Sequence, residues 1–125
     1  MRVYVAGPPS SDEYRRRAKE LVRERGWEPV DPFVRDFRGR THGHEAEIVE
    51  GDLADIRSCD AVIADFTVPD EGTSMESWYA RDLGKRVVAY TGAVEPHPWT
   101  VYVAAAVCEQ LEDAVRALEG AERPP

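Results

Sequence analysis

The chain has 125 residues, and its 42% hydrophobic content is enough for one continuous core without disulfide or metal staples. A formal net charge of -8 excludes the basic face that a nucleic acid polymer or an anionic membrane requires. The expected partner is therefore a small molecule.

Residues 3–6 form a short apolar run closed by Gly7-Pro8-Pro9, the pattern of a buried strand ending in a turn. Ser10 or Ser11 then caps a helix that reaches Gly26, with Asp12 and Glu13 in its first turn and Tyr14, Ala18, Leu21 and Val22 at helical spacing. Ser10 with Glu13 has the form of a capping box. A second strand covers 27–30. Residues 31–43 carry Pro32, Gly39 and several charges without a period, which predicts a loop folded over a site. A helix follows over 45–58, its apolar stripe made by Ile48, Leu53 and Ile56.

Residues 60–66 are the clearest strand, apolar on both faces at the centre, as in a parallel sheet. A helix over 73–83 stops at Gly84, and 86–90 is another strand. Residues 100–108 fit either one strand or a short helix leading into a two- or three-residue edge strand, because alanine suits helix and valine suits sheet. Residues 110–118 are helical on both readings. The domain spans 1–120, and 121–125 form a frayed tail. Such alternation implies an α/β fold, an open and mostly parallel sheet with helices on both faces.

No apolar run approaches the length of a bilayer span, and Met1 leads straight into a strand rather than an export signal, so a cytoplasmic protein is expected. Cys59 and Cys108 stand far apart, at no metal-ligand spacing, and are read as reduced, buried, structural thiols. His42 and His44 lack a third ligand at an ordinary spacing, so no metal is assigned, and no cofactor is expected. Gly7-Pro8-Pro9 is a weak phosphate loop, since proline removes amide donors. Trp78 and Tyr79 are read as core or interface aromatics.

In open α/β sheets ligands bind beyond the carboxyl ends of the strands. The residues there are Gly7 and Pro8 after the first strand, and Asp70, Gly72 and Ser74 after the third, with Glu76 on the helix beyond and Asp52 on the helix before. Three carboxylates thus gather near one mouth. Cleaving a bond between a sugar and a base needs an ionised carboxylate beneath the anomeric carbon and an acid near the leaving group. Glu76 at a helix start would be held ionised by the helix dipole. A structural reading competes: Thr73-Ser74-Met75-Glu76 has the form of a capping box, Asp70 that of a turn residue, and Asp52 that of a solvated helix face.

Taken together, the residues resemble the nucleoside 2-deoxyribosyltransferase family, which includes the 2'-deoxynucleoside 5'-monophosphate N-glycosidases. The matching parts are Val3-Tyr4-Val5-Ala6-Gly7, Gly51-Asp52-Leu53-Ala54-Asp55-Ile56 running to Cys59-Asp60-Ala61-Val62-Ile63-Ala64, Gly72-Thr73-Ser74-Met75-Glu76 with Tyr79-Ala80, and Gly84-Lys85-Arg86-Val87-Val88. The resemblance implies a flavodoxin-like, Rossmann-like three-layer sandwich with a five-stranded parallel sheet. It implies a glycosyl-enzyme on Glu76, with Asp52 acting at the base or in proton transfer and Tyr4 orienting the nucleophile. It also implies a homodimer or higher homo-oligomer. Asp70 matches an aspartate of the transferases, where the nucleotide-hydrolysing branch carries a serine near the 5'-phosphate. Asp70, with Asp12 and Glu13, would repel a phosphate dianion, which favours nucleosides over nucleotides. The carboxyl-terminal region has no motif that aligns, although His97-Pro98-Trp99 occupies the place from which the family lends residues to a neighbouring subunit. The loop over 31–43 shows no obvious base-reading pair. A non-catalytic nucleoside or nucleotide sensor is the reading from another class.

Overall fold

A computed structural model describes residues 1–122. Its elements alternate as β1 (Arg2–Ala6), α1 (Asp12–Glu24), β2 (Glu28–Val30), α2 (Glu45–Ser58), β3 (Ala61–Asp65), α3 (Glu71–Asp82), β4 (Arg86–Tyr90), α4 (Pro98–Val103), β5 (Ala106–Cys108) and α5 (Leu111–Ala117). Short 3₁₀ turns occupy Pro32–Val34 and Leu118–Glu122. The strands lie in the order β2-β1-β3-β4-β5 and every neighbouring pair is parallel. This is a flavodoxin-like α/β fold.

The pleat sends successive side chains to opposite faces of the sheet. Val3, Val5, Ala61, Ile63 and Val88 therefore pack with residues of α1 and α5, while Tyr4, Ala6, Val62, Ala64 and Val87 pack with Ile56 of α2 and Ala80 of α3. Each fully buried valine or isoleucine contributes roughly 1.5–3 kcal/mol. Period-2 alternation also sends Tyr4, the aromatic residue of β1, to the α2–α3 side. This orientation positions the site.

Several local expectations change. Ser11 occupies the N-cap position of α1 but its side chain makes no capping bond, and Glu13 turns to Arg16 at 2.5 Å rather than closing a capping box with Ser10. Helix α3 begins at Glu71, two residues before the expected start, because Asp70 supplies the cap. Residues 100–108 adopt the helix-then-edge-strand form: Pro98 sits in the first turn of α4, the His97 ring accepts from the Trp99 amide at 3.1 Å, and three residues suffice to pair β5 with β4. Cys59 is buried, whereas Cys108, on the edge strand, is only half-buried. Trp78 is 42% exposed and so lies outside the core. Of the expected tail, residues 121 and 122 belong to the final 3₁₀ turn and 123–125 lie outside the described residues. Among the described residues no helix is long and apolar enough to cross a membrane.

Candidate active site

Strand order reverses between β1 and β3, so the loops leaving their carboxyl ends part and open a crevice. A cavity of about 220 Å³ occupies it. Gly7 and Pro9 line it from the end of β1, Asp70, Gly72 and Glu76 from α3 and its cap, and Asp52 from α2. Phe33, Arg35 and Phe37, from the loop over 31–43, form the remaining wall.

The Asp70 carboxylate accepts from the Thr73 amide at 3.0 Å and from the Thr73 hydroxyl at 2.7 Å. Asp70 is therefore the N-cap, and Glu76 falls in the second helical turn. Both local expectations for Glu76 fail for this reason: it is not the distal member of a capping box, and it lies beyond the reach of a dipole effect confined to the first turn. Helical side chains lean toward the N-terminus, which folds Glu76 back over Gly72. A Cβ added at Gly72 would lie 3.7 Å from Glu76 Oε1 and 3.6 Å from Asp70 Oδ2, so the small residue keeps the space between two carboxylates open.

From the opposite side, the hydroxyl of the fully buried Tyr4 donates to Glu76 Oε2. Burial raises the Glu76 carboxyl to about 8, the Tyr4 hydrogen bond opposes this, and the charges of Asp52 and Asp70 add to the rise. The predicted dipole-lowered, permanently ionised glutamate is thus replaced by one poised near neutrality. Burial, and next the Glu76 and Asp52 charges, push the Tyr4 phenol far above its ordinary value, so it remains a donor.

Asp52 is also raised by burial, with Arg35 opposing. Arg35 Nη2 reaches Asp52 Oδ1 at 3.3 Å and Asp55 Oδ2 at 2.8 Å. The guanidinium lies against the backbone of α2 at Gly51, where an added Cβ would come within 2.9 Å of Nε and 3.1 Å of Nη2. Glycine inside a helix costs about 1 kcal/mol relative to alanine, and here the missing side chain makes room for Arg35.

Arg15 ties the two pocket loops together. Although it is 3% exposed, it donates to the carbonyls of Gly7 at 3.0 Å and Pro8 at 3.3 Å, and it lies 4.2 Å from the centre of the Phe33 ring. Its Nε is 3.2 Å from Asp31 Oδ1 without hydrogen-bond geometry, so that pair acts through charge alone. At the rim, Arg38 donates to the Pro9 carbonyl at 3.0 Å and to Asp12 at 2.8 Å. Asp12 is thereby paired with Arg38, and Glu13 pairs separately with Arg16.

Glu76, Asp52, Asp70, Gly72 and Gly7 meet in one pocket, with Tyr4 behind Glu76. Pro8 and Ser74 do not line it: Pro8 presents its carbonyl to Arg15 and the Ser11 amide, and Ser74 donates to the Asp70 carbonyl while facing a neighbouring cleft of about 630 Å³. His44 pairs with Glu47 at 3.2 Å and packs against the Phe37 ring. Sequence reasoning passed over Arg35, Phe33, Phe37 and Arg15. A glycine inside the helical pattern at 51, and an arginine beside the apolar stripe of α1, were the available signals.

A sequence model of the nucleoside 2-deoxyribosyltransferase family matches residues 3–118. The chain therefore belongs to this family of nucleoside deoxyribosyltransferases and nucleotide N-glycosidases. Its fold is similar to that of a 2-deoxyribosyltransferase from Bacillus psychrosaccharolyticus, with a TM-score of 0.76 at 19% identity over 92% of this chain and 90% of the other. It is also similar to the CMP N-glycosidase of Clostridium botulinum, with a TM-score of 0.67 at 19% identity over 95% and 99% of the two chains. A conserved protein from Enterococcus faecalis gives a TM-score of 0.76 at 18% identity over 96% and 98%. No curated protein matches at the sequence level.

Proposed function

We propose that the protein cleaves or transfers at the N-glycosidic bond of a 2'-deoxynucleoside through a glycosyl-enzyme on Glu76. The observation that carries this reading is the hydrogen bond from the buried Tyr4 to Glu76, which lines a pocket that also holds Asp52. The ionised Glu76 carboxylate attacks the anomeric carbon, the bond to the base breaks, and its electron pair goes to the base nitrogen. Asp52, whose carboxyl is raised by burial, gives the departing base its proton, at N7 where the base is a purine. Water or a second base then takes the sugar and frees Glu76. Asp70, at the pocket wall, favours a neutral sugar hydroxyl as its neighbour over a phosphate dianion.

Incubation with the four common deoxynucleosides should release free base, or exchange it when an acceptor base is present. Absence of both with every substrate would leave the sensor reading in its place. Arg38, exposed at the pocket rim, is the observation that supports a second reading, a 2'-deoxynucleoside 5'-monophosphate N-hydrolase. The same assay with each 5'-monophosphate separates the two, a higher kcat/KM for the monophosphate favouring the second.

Self-association in a homodimer or larger assembly belongs to the same proposal. Trp99 is 68% exposed and packs beside the exposed Trp78, with Met75 and Tyr102 also exposed nearby in the sequence of α3 and α4, an apolar grouping of the kind that marks interfaces. Sedimentation should give at least a dimer, and Trp99→Glu should shift it toward monomer. A monomeric wild-type protein would reject the assembly.

A further inference from the structure

The wall of the pocket formed by the loop over 31–43 bears on which base leaves, an inference that rests on the function proposed above. Arg35 lines the same cavity as Asp52 and Glu76. Both of its carboxylate contacts run through one nitrogen, Nη2, so Nη1 has no hydrogen-bond partner among the described residues. A guanidinium only donates, and Nη1 carries two N–H groups. Gly51 fixes where that donor stands, because the guanidinium fills the space of the absent Cβ and is thereby docked against the turn of α2 that carries Asp52. Phe33 and Phe37 line the same wall and offer flat surfaces that stack on any base without choosing among them. Selection therefore falls to the polar pair.

We propose that Arg35, docked on Gly51 beside Asp52, is a specificity-determining residue that favours 2'-deoxynucleosides of 6-oxopurines over those of 6-aminopurines. When a purine leaves, the proton goes to N7, which is the role given to Asp52. The exocyclic atom beside N7 is the substituent at C6, and the two together form the edge that arginine recognises in guanine. An oxygen at C6 accepts from Nη1. An amino group sets donor against donor and leaves both unpaired in a half-enclosed pocket.

Deoxyinosine and deoxyadenosine differ at this substituent and provide the test. The kcat/KM ratio of deoxyinosine to deoxyadenosine should be about tenfold or more in the intact protein. It should fall to near one in Arg35→Met and decline in Gly51→Ala, a change that displaces the guanidinium while favouring the helix. Arg35→Lys should recover part of the ratio. A wild-type ratio at or below one, or a ratio unchanged in both Arg35→Met and Gly51→Ala, overturns the inference. Should the protein cleave neither substrate, calorimetric titration with hypoxanthine and adenine keeps the two questions apart. Tighter binding of hypoxanthine that depends on Arg35 upholds the selection without the catalysis; equal affinities overturn it.

Discussion

Replacing Glu76 with alanine is expected to lower kcat by at least about 10⁴-fold with any substrate the wild-type protein accepts, the scale seen when a covalent nucleophile is removed. Intact-mass analysis of acid-quenched reactions should show a deoxyribosyl adduct on the wild-type chain and none on the variant. The fold should survive, because no hydrogen bond of the helix depends on the Glu76 side chain: Asp70 caps α3, and Tyr4 is the hydrogen-bond partner of the Glu76 carboxylate. Thermal unfolding supplies a second, independent reading. The Glu76 carboxyl sits at about 8 in the folded chain against an ordinary 4.5. Between these values the native state holds a proton that the unfolded state has lost, so stability falls as pH rises and the penalty is complete above about 8. Glu76→Gln removes it. The variant's gain in Tm over wild type should therefore be small at pH 5 and larger at pH 9. Wild-type turnover in Glu76→Ala would return this residue to a structural role.

Tyr4→Phe should have the next largest effect, and its signature lies in the pH profile. The tyrosine hydroxyl donates to the carboxylate and is the leading influence that keeps the Glu76 pKa from rising further. Without it the ionised form loses a charge-assisted hydrogen bond in a desolvated site. The rising limb of kcat/KM, which reports ionisation of the free enzyme, should stand near pH 8 in wild type and move to higher pH in the variant. At pH 7 the loss should be about 10- to 100-fold, the equivalent of one hydrogen bond to a charged group, and raising the pH should restore part of it. A limb that stays in place, with the rate reduced equally at all pH values, would make Tyr4 a packing residue. Burial holds the phenol itself in its protonated form, so its own titration does not enter this range.

These two expectations depend on placement that the sequence carries unevenly. The strands were legible because residues buried on both faces must be apolar throughout, as residues 61–64 show, and the glycine stop at 84 was plain. Asp52 and Glu76 could be chosen because a parallel sheet sends ligands to the carboxyl ends of its strands, whereas Tyr4, in the middle of β1, came only from the family resemblance. Their surroundings could not. In sequence Thr73 has the form of a helix cap and Asp70 that of a turn residue, and only the folded chain shows Asp70 accepting from the Thr73 amide. That two-residue difference moves Glu76 out of the dipole's reach.

The amino-acid sequence by itself determined the α/β alternation, the net acidic charge, and the set of carboxylates near one mouth. Tertiary structure alone decided their protonation and their neighbours. Burial is a property of the assembled core, and it lifts Glu76 to about 8 where the local motif implied a lowered value. Likewise Arg35 and Gly51 stand sixteen residues apart, with no periodic relation to join them, and the contact that makes Arg35 part of the site exists only once the loop folds onto α2.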